Sequence, residues 1–526
     1  MATTPGRNRF GRLWQTVWLL PWLLAFPAAS AVQLSGVFGD HMVIQCDRPI
    51  RIWGWANPGE SVRVTFGADK VTTTTDAAGA WQVELPARPA SAAPNTITVT
   101  GPANQIAIRD VLMGEVWLCS GQSNMEWALA RSDGGPAAIA NATNRLFRMG
   151  RVPHNGQATP QKNVAVKWDI CSSNSLRFAS AIPYWFGAGL QTALGVPVGV
   201  LNSSYGGTPI QAWMPAETLR SGPWPQDQWT DPAQARAEFD RRVAATKSLR
   251  AQYEAACAAA KAKHETNPPS PAGLPGEFKG ATVLWNGEVA PLLGLGIRGV
   301  AWYQGENNAY PQVAGTYGRL LPALIRDWRQ GWGDGSLPFL VFQIARNRKW
   351  QTDPNESSGI AELQEAQAKT VAATPGTALI VTTDMGGPDV HYHGKKPVAD
   401  RAVAAALQLA YQQSSGFANP VCNRAEFTHG AAVLTFTNTG GGLVAKDGEP
   451  AGFVIAGSDH RFVFATARIQ DDSVVVSSPQ VPAPVAVRYG WADLPKINLF
   501  NRAGLPVGTF RTDDWPLAAQ SKASHP

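Results

Sequence analysis

Four short strings carry side chains suited to attack on a carbonyl carbon. Ser120-Gly121-Gln122-Ser123-Asn124-Met125-Glu126 places a serine in the turn after an apolar run ending near Leu118. A serine at the carboxyl edge of a parallel strand faces the crevice where open α/β sheets bind ligands, and N–H groups at the start of a following helix can stabilise an oxyanion. The position also suits an N-cap serine. The string is not G-x-S-x-G, which argues against the nucleophile elbow of α/β-hydrolases. Asn202-Ser203-Ser204-Tyr205-Gly206-Gly207-Thr208-Pro209-Ile210 follows a second run, and its paired glycines either let a backbone N–H approach a ligand or make an ordinary tight turn. Gln304-Gly305-Glu306-Asn307-Asn308 follows a third run and would turn polar side chains toward the same crevice. The last string, Asp384-Met385-Gly386-Gly387-Pro388-Asp389-Val390-His391-Tyr392-His393-Gly394-Lys395, sets histidines among acids in a glycine-rich loop. A histidine so placed can act as general base, with a carboxylate fixing its tautomer and stabilising the imidazolium. His391 and His393 also have the spacing of a metal pair. No H-E-x-x-H helix or cysteine cluster accompanies them, so neither metal nor organic cofactor is expected, and His393 reads as a surface residue.

Such turns need a parallel sheet behind them. After Asp110, near-continuous apolar runs alternate with helical stretches, as strands buried on both faces require. The expected strands are 111–118, 196–201, 297–303, 338–344 and 378–382, and Leu321, Leu324, Ile325 and Trp328 have the spacing of an amphipathic helix. Residues 231–264 are rich in Ala, Arg, Lys and Glu and read as a long surface helix or helical hairpin inserted into this core. Shorter alternating runs on either side of the core, such as Val62-Arg63-Val64-Thr65-Phe66 and Ala432-Val433-Leu434-Thr435-Phe436, are separated by turn clusters and read as antiparallel sandwiches. The expected division is a leader over 1–31, an N-terminal β domain over 32–109, an α/β core over 110–416 and a C-terminal β-rich region over 417–526.

The leader carries Arg7, Arg9 and Arg12, an apolar run from Leu13 to Phe26, and Ala29-Ser30-Ala31, which matches an A-x-A cleavage site. It reads as a secretory signal cut after Ala31, giving an exported protein, periplasmic or extracellular, without a stable membrane anchor. The formal charge of +6 falls to +3 with the leader, and no basic tract stands out, so nucleic acid is not an expected partner. With only 16% charged and 44% hydrophobic residues the 526-residue chain is neither a disordered polymer nor a coiled coil. Five cysteines without a C-x-x-C pair do not make a disulfide scaffold.

Taken together, Ser-Gly-Gln-Ser-Asn-Met-Glu (120–126), Gly-Gly-Thr-Pro-Ile-Gln-Ala-Trp (206–213), Trp-Tyr-Gln-Gly-Glu-Asn-Asn-Ala (302–309) and Asp-Val-His (389–391) followed by Lys395 resemble the sialate O-acetylesterase family of SGNH-type esterases. The resemblance extends to Asp40-His41-Met42-Val43-Ile44-Gln45, to Trp285-Asn286-Gly287 and to Phe510-Arg511-Thr512-Asp513, and so covers nearly the whole mature chain. It implies a flavodoxin-like core and a serine esterase that removes O-acetyl groups from carbohydrates through an acetyl-enzyme. By position, Ser123 is then the nucleophile, His391 the base and Asp389 the acid. Many SGNH enzymes place the acid three residues before the histidine rather than two, which keeps Asp384 in play. The oxyanion hole implied is the Ser123 N–H, the N–H of Gly207 or Gly206, and a side-chain amide, Asn307 or Gln304.

The acetylated sugar is left open between sialic acids, which call for a cation such as Arg131, Arg346, Arg348 or Lys349, and plant glycans such as xylan or xyloglucan, which call for aromatic platforms. Of the 17 tryptophans outside the leader, Trp127, Trp213 and Trp302 lie in these blocks and are the expected sugar-packing indoles. The competing reading is a carbohydrate-binding protein whose core has lost activity, although Ser123, Gly207, Asn307 and His391 are all retained.

Overall fold

The computed structural model describes residues 31–517 apart from 225–229, 264, 312 and 429; the leader expected over 1–31 lies, Ala31 excepted, outside the described residues. The first apolar run is the buried half of one long strand, β1 (Gln105–Gly121). The other four overlap β3 (Val198–Ser204), β4 (Gly299–Tyr303), β5 (Phe339–Phe342) and β6 (Thr377–Ile380), each by three or more residues, with β2 (Phe147–Arg151) preceding β3 in the chain. β2 has no apolar run, because it carries Arg148 into the interior. Asp110 makes that burial tolerable by accepting from both guanidinium nitrogens, at 2.8 and 3.4 Å.

These six strands are parallel, in the spatial order β2-β3-β1-β4-β5-β6. From β1 the chain passes to β2 and then β3 on one side, crosses to β4 and continues to β5 and β6 on the other, so its winding reverses between the carboxyl ends of β1 and β4. In doubly wound sheets that is where a crevice opens. Helices α1 (Ser123–Glu126), α2 (Ala181–Leu194), α3 (Ala314–Trp332), α4 (Gly359–Ala373) and α5 (Lys395–Tyr411) follow the strands, with α2 packed on α5 and α3 on α4. Leu321, Leu324, Ile325 and Trp328 are all buried on α3, as their spacing predicts.

The same β1 continues backward into an antiparallel layer. Its first half pairs with Ser91–Thr100 and its middle with Val43–Gln45, so the expected boundary at 109/110 falls inside one unbroken strand. A single buried cluster accordingly runs from Val32 through the central sheet. The C-terminal region contains two four-stranded antiparallel sheets around a separate cluster that includes Leu434, Phe436, Ile455, Val474 and Tyr489. The inserted segment forms two mostly exposed helices, Pro232–Ala245 and Lys247–Ala262, broken at Thr246. All five cysteines are free thiols.

Candidate active site

β1 and β4 approach so closely at their ends that only glycine fits at 121. Gly121 has φ +134°, and a Cβ there would lie 2.0 Å from the Tyr303 carbonyl oxygen. The next N–H, that of Gln122, donates to that oxygen at 2.9 Å. Gln122 is the N-cap of α1 but makes no capping bond with its side chain, and Ser123 is the first helical residue, half-buried. Ser123 is therefore no N-cap. The Gln122 amide instead reaches the third block, where its oxygen accepts from the Asn307 N–H at 3.2 Å and from Gln304 Nε2 at 3.1 Å.

The residue after the serine ties three loops together. Asn124 Nδ2 donates to Glu306 Oε1 at 2.5 Å and to the Val390 carbonyl at 3.1 Å, while Asn124 Oδ1 accepts from Lys395 Nζ at 2.5 Å. Lys395 is fully buried, with its ammonium 3.6 Å from the centre of the Tyr392 ring. Desolvation pushes Lys395 down to about 7, against the opposing pull of Glu306 and Asp389. The same burial pushes the Glu306 carboxyl up, although the Asn124 bond and the Lys395 charge work the other way. An amide spanning a buried acid and a buried amine leaves little freedom for either loop.

His391 lies in the last of these loops, stacked on Trp127 at 4.8 Å and 21°. Burial lowers its basicity; the Asp389 charge raises it again and the Lys395 charge adds to the lowering. Of the two acids left open by the spacing, Asp389 is the one beside His391. Its Oδ1 accepts from the His391 N–H at 2.9 Å and lies 3.8 Å from Nδ1, beyond hydrogen-bond length, on a side chain that is 72% exposed. Asp384 instead forms a largely buried two-pronged pair with Arg401 at 2.8 and 2.6 Å, which takes up both of its oxygens. His393 is exposed, as expected, but its ring also stacks on Trp127, at 5.7 Å.

The second block turns directly behind the serine. A Cβ at Gly206 would lie 3.2 Å from Ser123 Cβ. The Gly206 N–H is already committed to Glu126 Oε2 at 2.6 Å, which removes it as an oxyanion donor. Gly207, at φ +70°, is exposed, and among the described residues nothing accepts from its N–H. Glu126 also meets His154 Nε2 at 3.0 Å, and the His154 ring stacks on Tyr205 at 3.6 Å and 7°. Burial opposes ionisation of Glu126, but the His154 bond and charge outweigh it and hold the carboxyl below its ordinary range; the pair raises His154 in turn, again against burial.

Two expectations for side chains need correction. Gln304 is fully buried, with Nε2 within 3.1 Å of Gln122 Oε1 and the Thr208 carbonyl and 2.8 Å of Asn308 Oδ1, and its oxygen accepts from the Tyr317 hydroxyl. Its two N–H groups have no capacity left for a developing oxyanion. Asn307, half-buried, makes no side-chain hydrogen bond among the described residues and lines a cavity of about 490 Å³ with Pro209, Gln211 and Lys279. Trp213 and Trp302 are completely buried and meet edge to face at 6.0 Å, with Trp328 packed on Trp302 at 5.6 Å. They are core, because the runs that carry them face into the molecule, and no sugar can reach them. Trp127 alone of the three is partly open, with Arg131 above its ring at 5.8 Å. Of the other candidate cations, Arg348 is paired with Asp493 and Arg346 donates to the Pro495 carbonyl.

Sequence reasoning passed over the Glu126–His154 pair and Lys279. Glu126 had a signal, one helical turn after Ser123; Pro153-His154-Asn155 and Glu277-Phe278-Lys279 have no motif, since only the fold brings them to the turn. Among the described residues one further group of possible metal ligands occurs, Cys46, Asp47 and Glu115, well back along β1, where Arg298 already pairs with Glu115 at 2.7 Å.

A profile of the family described as carbohydrate esterase, sialic acid-specific acetylesterase, matches residues 288–410. The chain is 26% identical over 514 residues to the sialate O-acetylesterase of Homo sapiens, covering 89% of each chain. To that of Mus musculus it is 25% identical over 506 residues, covering 89% of this chain and 91% of the other. The crystal structure of a carbohydrate acetylesterase from Xanthomonas citri superposes with a TM-score of 0.78 and 36% identity, over 92% of this chain and 100% of that one.

Proposed function

The chain belongs to the sialate O-acetylesterase family of carbohydrate esterases, and from that premise we propose that it removes O-acetyl groups from sugars by a serine mechanism on an SGNH-type core. Ser123 attacks the acetyl carbonyl while His391 takes its proton, and Asp389 favours the imidazolium that forms. The tetrahedral oxyanion is met by the N–H groups of Ser123 and Gly207 and by the Asn307 amide. His391 returns the proton to the departing sugar oxygen, and water then hydrolyses the acetyl-enzyme through the same base. General-base assistance supplies about 10²–10⁴-fold and each oxyanion donor about 10²–10³-fold.

The observation that carries this reading is the convergence on Ser123: Gly206 lies directly against it, the adjoining Asn124 bonds the His391 loop, and Trp127 of the same segment stacks on His391. Export through the leader is part of the proposal; among the described residues no helix is long and apolar enough to cross a membrane. Trp127 is the one indole of the expected three available to a sugar face. Acetate release from O-acetylated sialic acid, acetylxylan and acetylated xyloglucan, each with wild type and Ser123→Ala, tests the function and ranks the substrates. Release from at least one by wild type and none by the variant is expected; no release from any acetylated sugar would leave the binding-protein reading standing.

A further inference from the structure

Lys279 comes from the segment that follows the inserted helices, and its ammonium donates to the Gly206 carbonyl at 2.9 Å while lying 4.2 Å from the centre of the Tyr205 ring. That carbonyl and the Gly207 N–H belong to one peptide group. A peptide is planar and trans, so its C=O and N–H point in opposite directions, and whatever holds the oxygen aims the hydrogen. The preceding peptide is fixed as well, by the Gly206 N–H bond to Glu126. The ends of the turn are tied by the Thr208 hydroxyl donating to the Tyr205 carbonyl at 2.7 Å, but between them two successive glycines have no side chains to set the intervening dihedrals, and a Cβ at Gly207 would meet nothing within 4 Å.

We propose that Lys279 is a positioning residue for the oxyanion hole, holding the Gly206–Gly207 peptide so that the Gly207 N–H faces the acetyl oxygen, and polarising that N–H through the carbonyl it grips. A cation on the carbonyl is a charge-assisted bond, stronger than the water contacts that would replace it. It also withdraws charge from the shared peptide, making the N–H a better donor as the oxyanion develops. Glu277, 3.7 Å from Lys279 Nζ, is the nearest acid and is largely exposed, so it competes weakly for the ammonium. Lys279 lines the same cavity as Asn307, the side-chain donor of the proposed oxyanion hole. Through Lys279, the segment leaving the inserted helices reaches the Gly206–Gly207 turn.

The inference rests on the esterase reading, and its test separates the two. Lys279→Met, Lys279→Gln and Lys279→Arg are assayed with p-nitrophenyl acetate beside Ser123→Ala, with thermal unfolding of each. Lys279→Met is expected to lower kcat by about 10–100-fold with KM and the unfolding midpoint little changed. Arg should recover most of the loss and Gln, which keeps a donor without the charge, only part of it. If Lys279→Met does not fold, the ordering of wild type, Arg and Gln carries the same test. Lys279 variants with kcat within about two-fold of wild type, or with the whole loss in KM, overturn the inference. If Ser123→Ala is itself as active as wild type, the esterase reading fails and the inference with it.

Discussion

His391 has its ring against Trp127, one acid nearby and a buried ammonium behind it, and its titration reports on all three. Burial and Lys395 lower its pKa while Asp389 raises it, with a net fall below the ordinary histidine value of about 6.5. The acid limb of kcat/KM for p-nitrophenyl acetate should therefore lie below that value, because the free base persists to lower pH. Asp389→Asn removes the group that raises the pKa, so the limb should move to still lower pH as kcat falls. Asp384→Asn should behave differently. Its partner is Arg401, and loss of a buried pair costs about 3–5 kcal/mol of stability, read as a lower unfolding midpoint with the limb unmoved. A limb that moves with Asp384 and not with Asp389 would reverse the assignment. At this scale the motifs make Ser123, Asn307 and His391 legible as candidates. The choice between Asp384 and Asp389 is not legible there, because Arg401 lies outside the motif and only the fold shows which acid it occupies.

At the scale of elements, the site depends on how closely β1 and β4 can end. Gly121→Ala forces a side chain at φ +134° into the Tyr303 carbonyl, with a backbone cost alone of about 1–3 kcal/mol. The strands must separate, and the expected result is a lower midpoint and a loss in kcat, since Gln122, Ser123 and Asn124 all follow that junction. A variant as stable and active as wild type would show that the approach does not matter. The strands themselves were readable as apolar runs, β2 excepted, whose Arg148 is buried only because Asp110 is there to receive it. Trp213 and Trp302 are core rather than sugar platforms for a related reason. Trp302 lies within β4, every residue of which is buried, and Trp213 adjoins it. Position within a motif said nothing about which way an indole points. Trp302→Ala should accordingly cost about 3–5 kcal/mol in stability, rather than act on glycan turnover alone while p-nitrophenyl acetate turnover stays intact.

For the whole molecule, β1 makes the N-terminal β layer and the central sheet one structure. Its seventeen residues pair with Ser91–Thr100 at one end and with β3 and β4 at the other. Removing residues 32–104 would strip one end of β1 and uncover Val111, Leu112 and Met113, so the truncated protein is expected to be insoluble or to lack a cooperative transition; a soluble, active product would contradict a shared core. Composition and patterning gave the succession of β, α/β and β regions but not this continuity, because a strand serving two layers reads as two separate runs. The C-terminal region has its own core, and Arg511 bonds Glu365 of α4 at 2.9 Å while Asp493 accepts from Ser358 and Arg348. All of this scaffold converges on one serine. The most direct test is to quench the protein during turnover of p-nitrophenyl acetate and map the acetylated peptide by mass spectrometry. A single acetyl group on Ser123, absent from Ser123→Ala together with at least about 10³-fold of the rate, is the expected result; full turnover by Ser123→Ala, or an acetyl group carried by another residue on the reaction pathway, would contradict it.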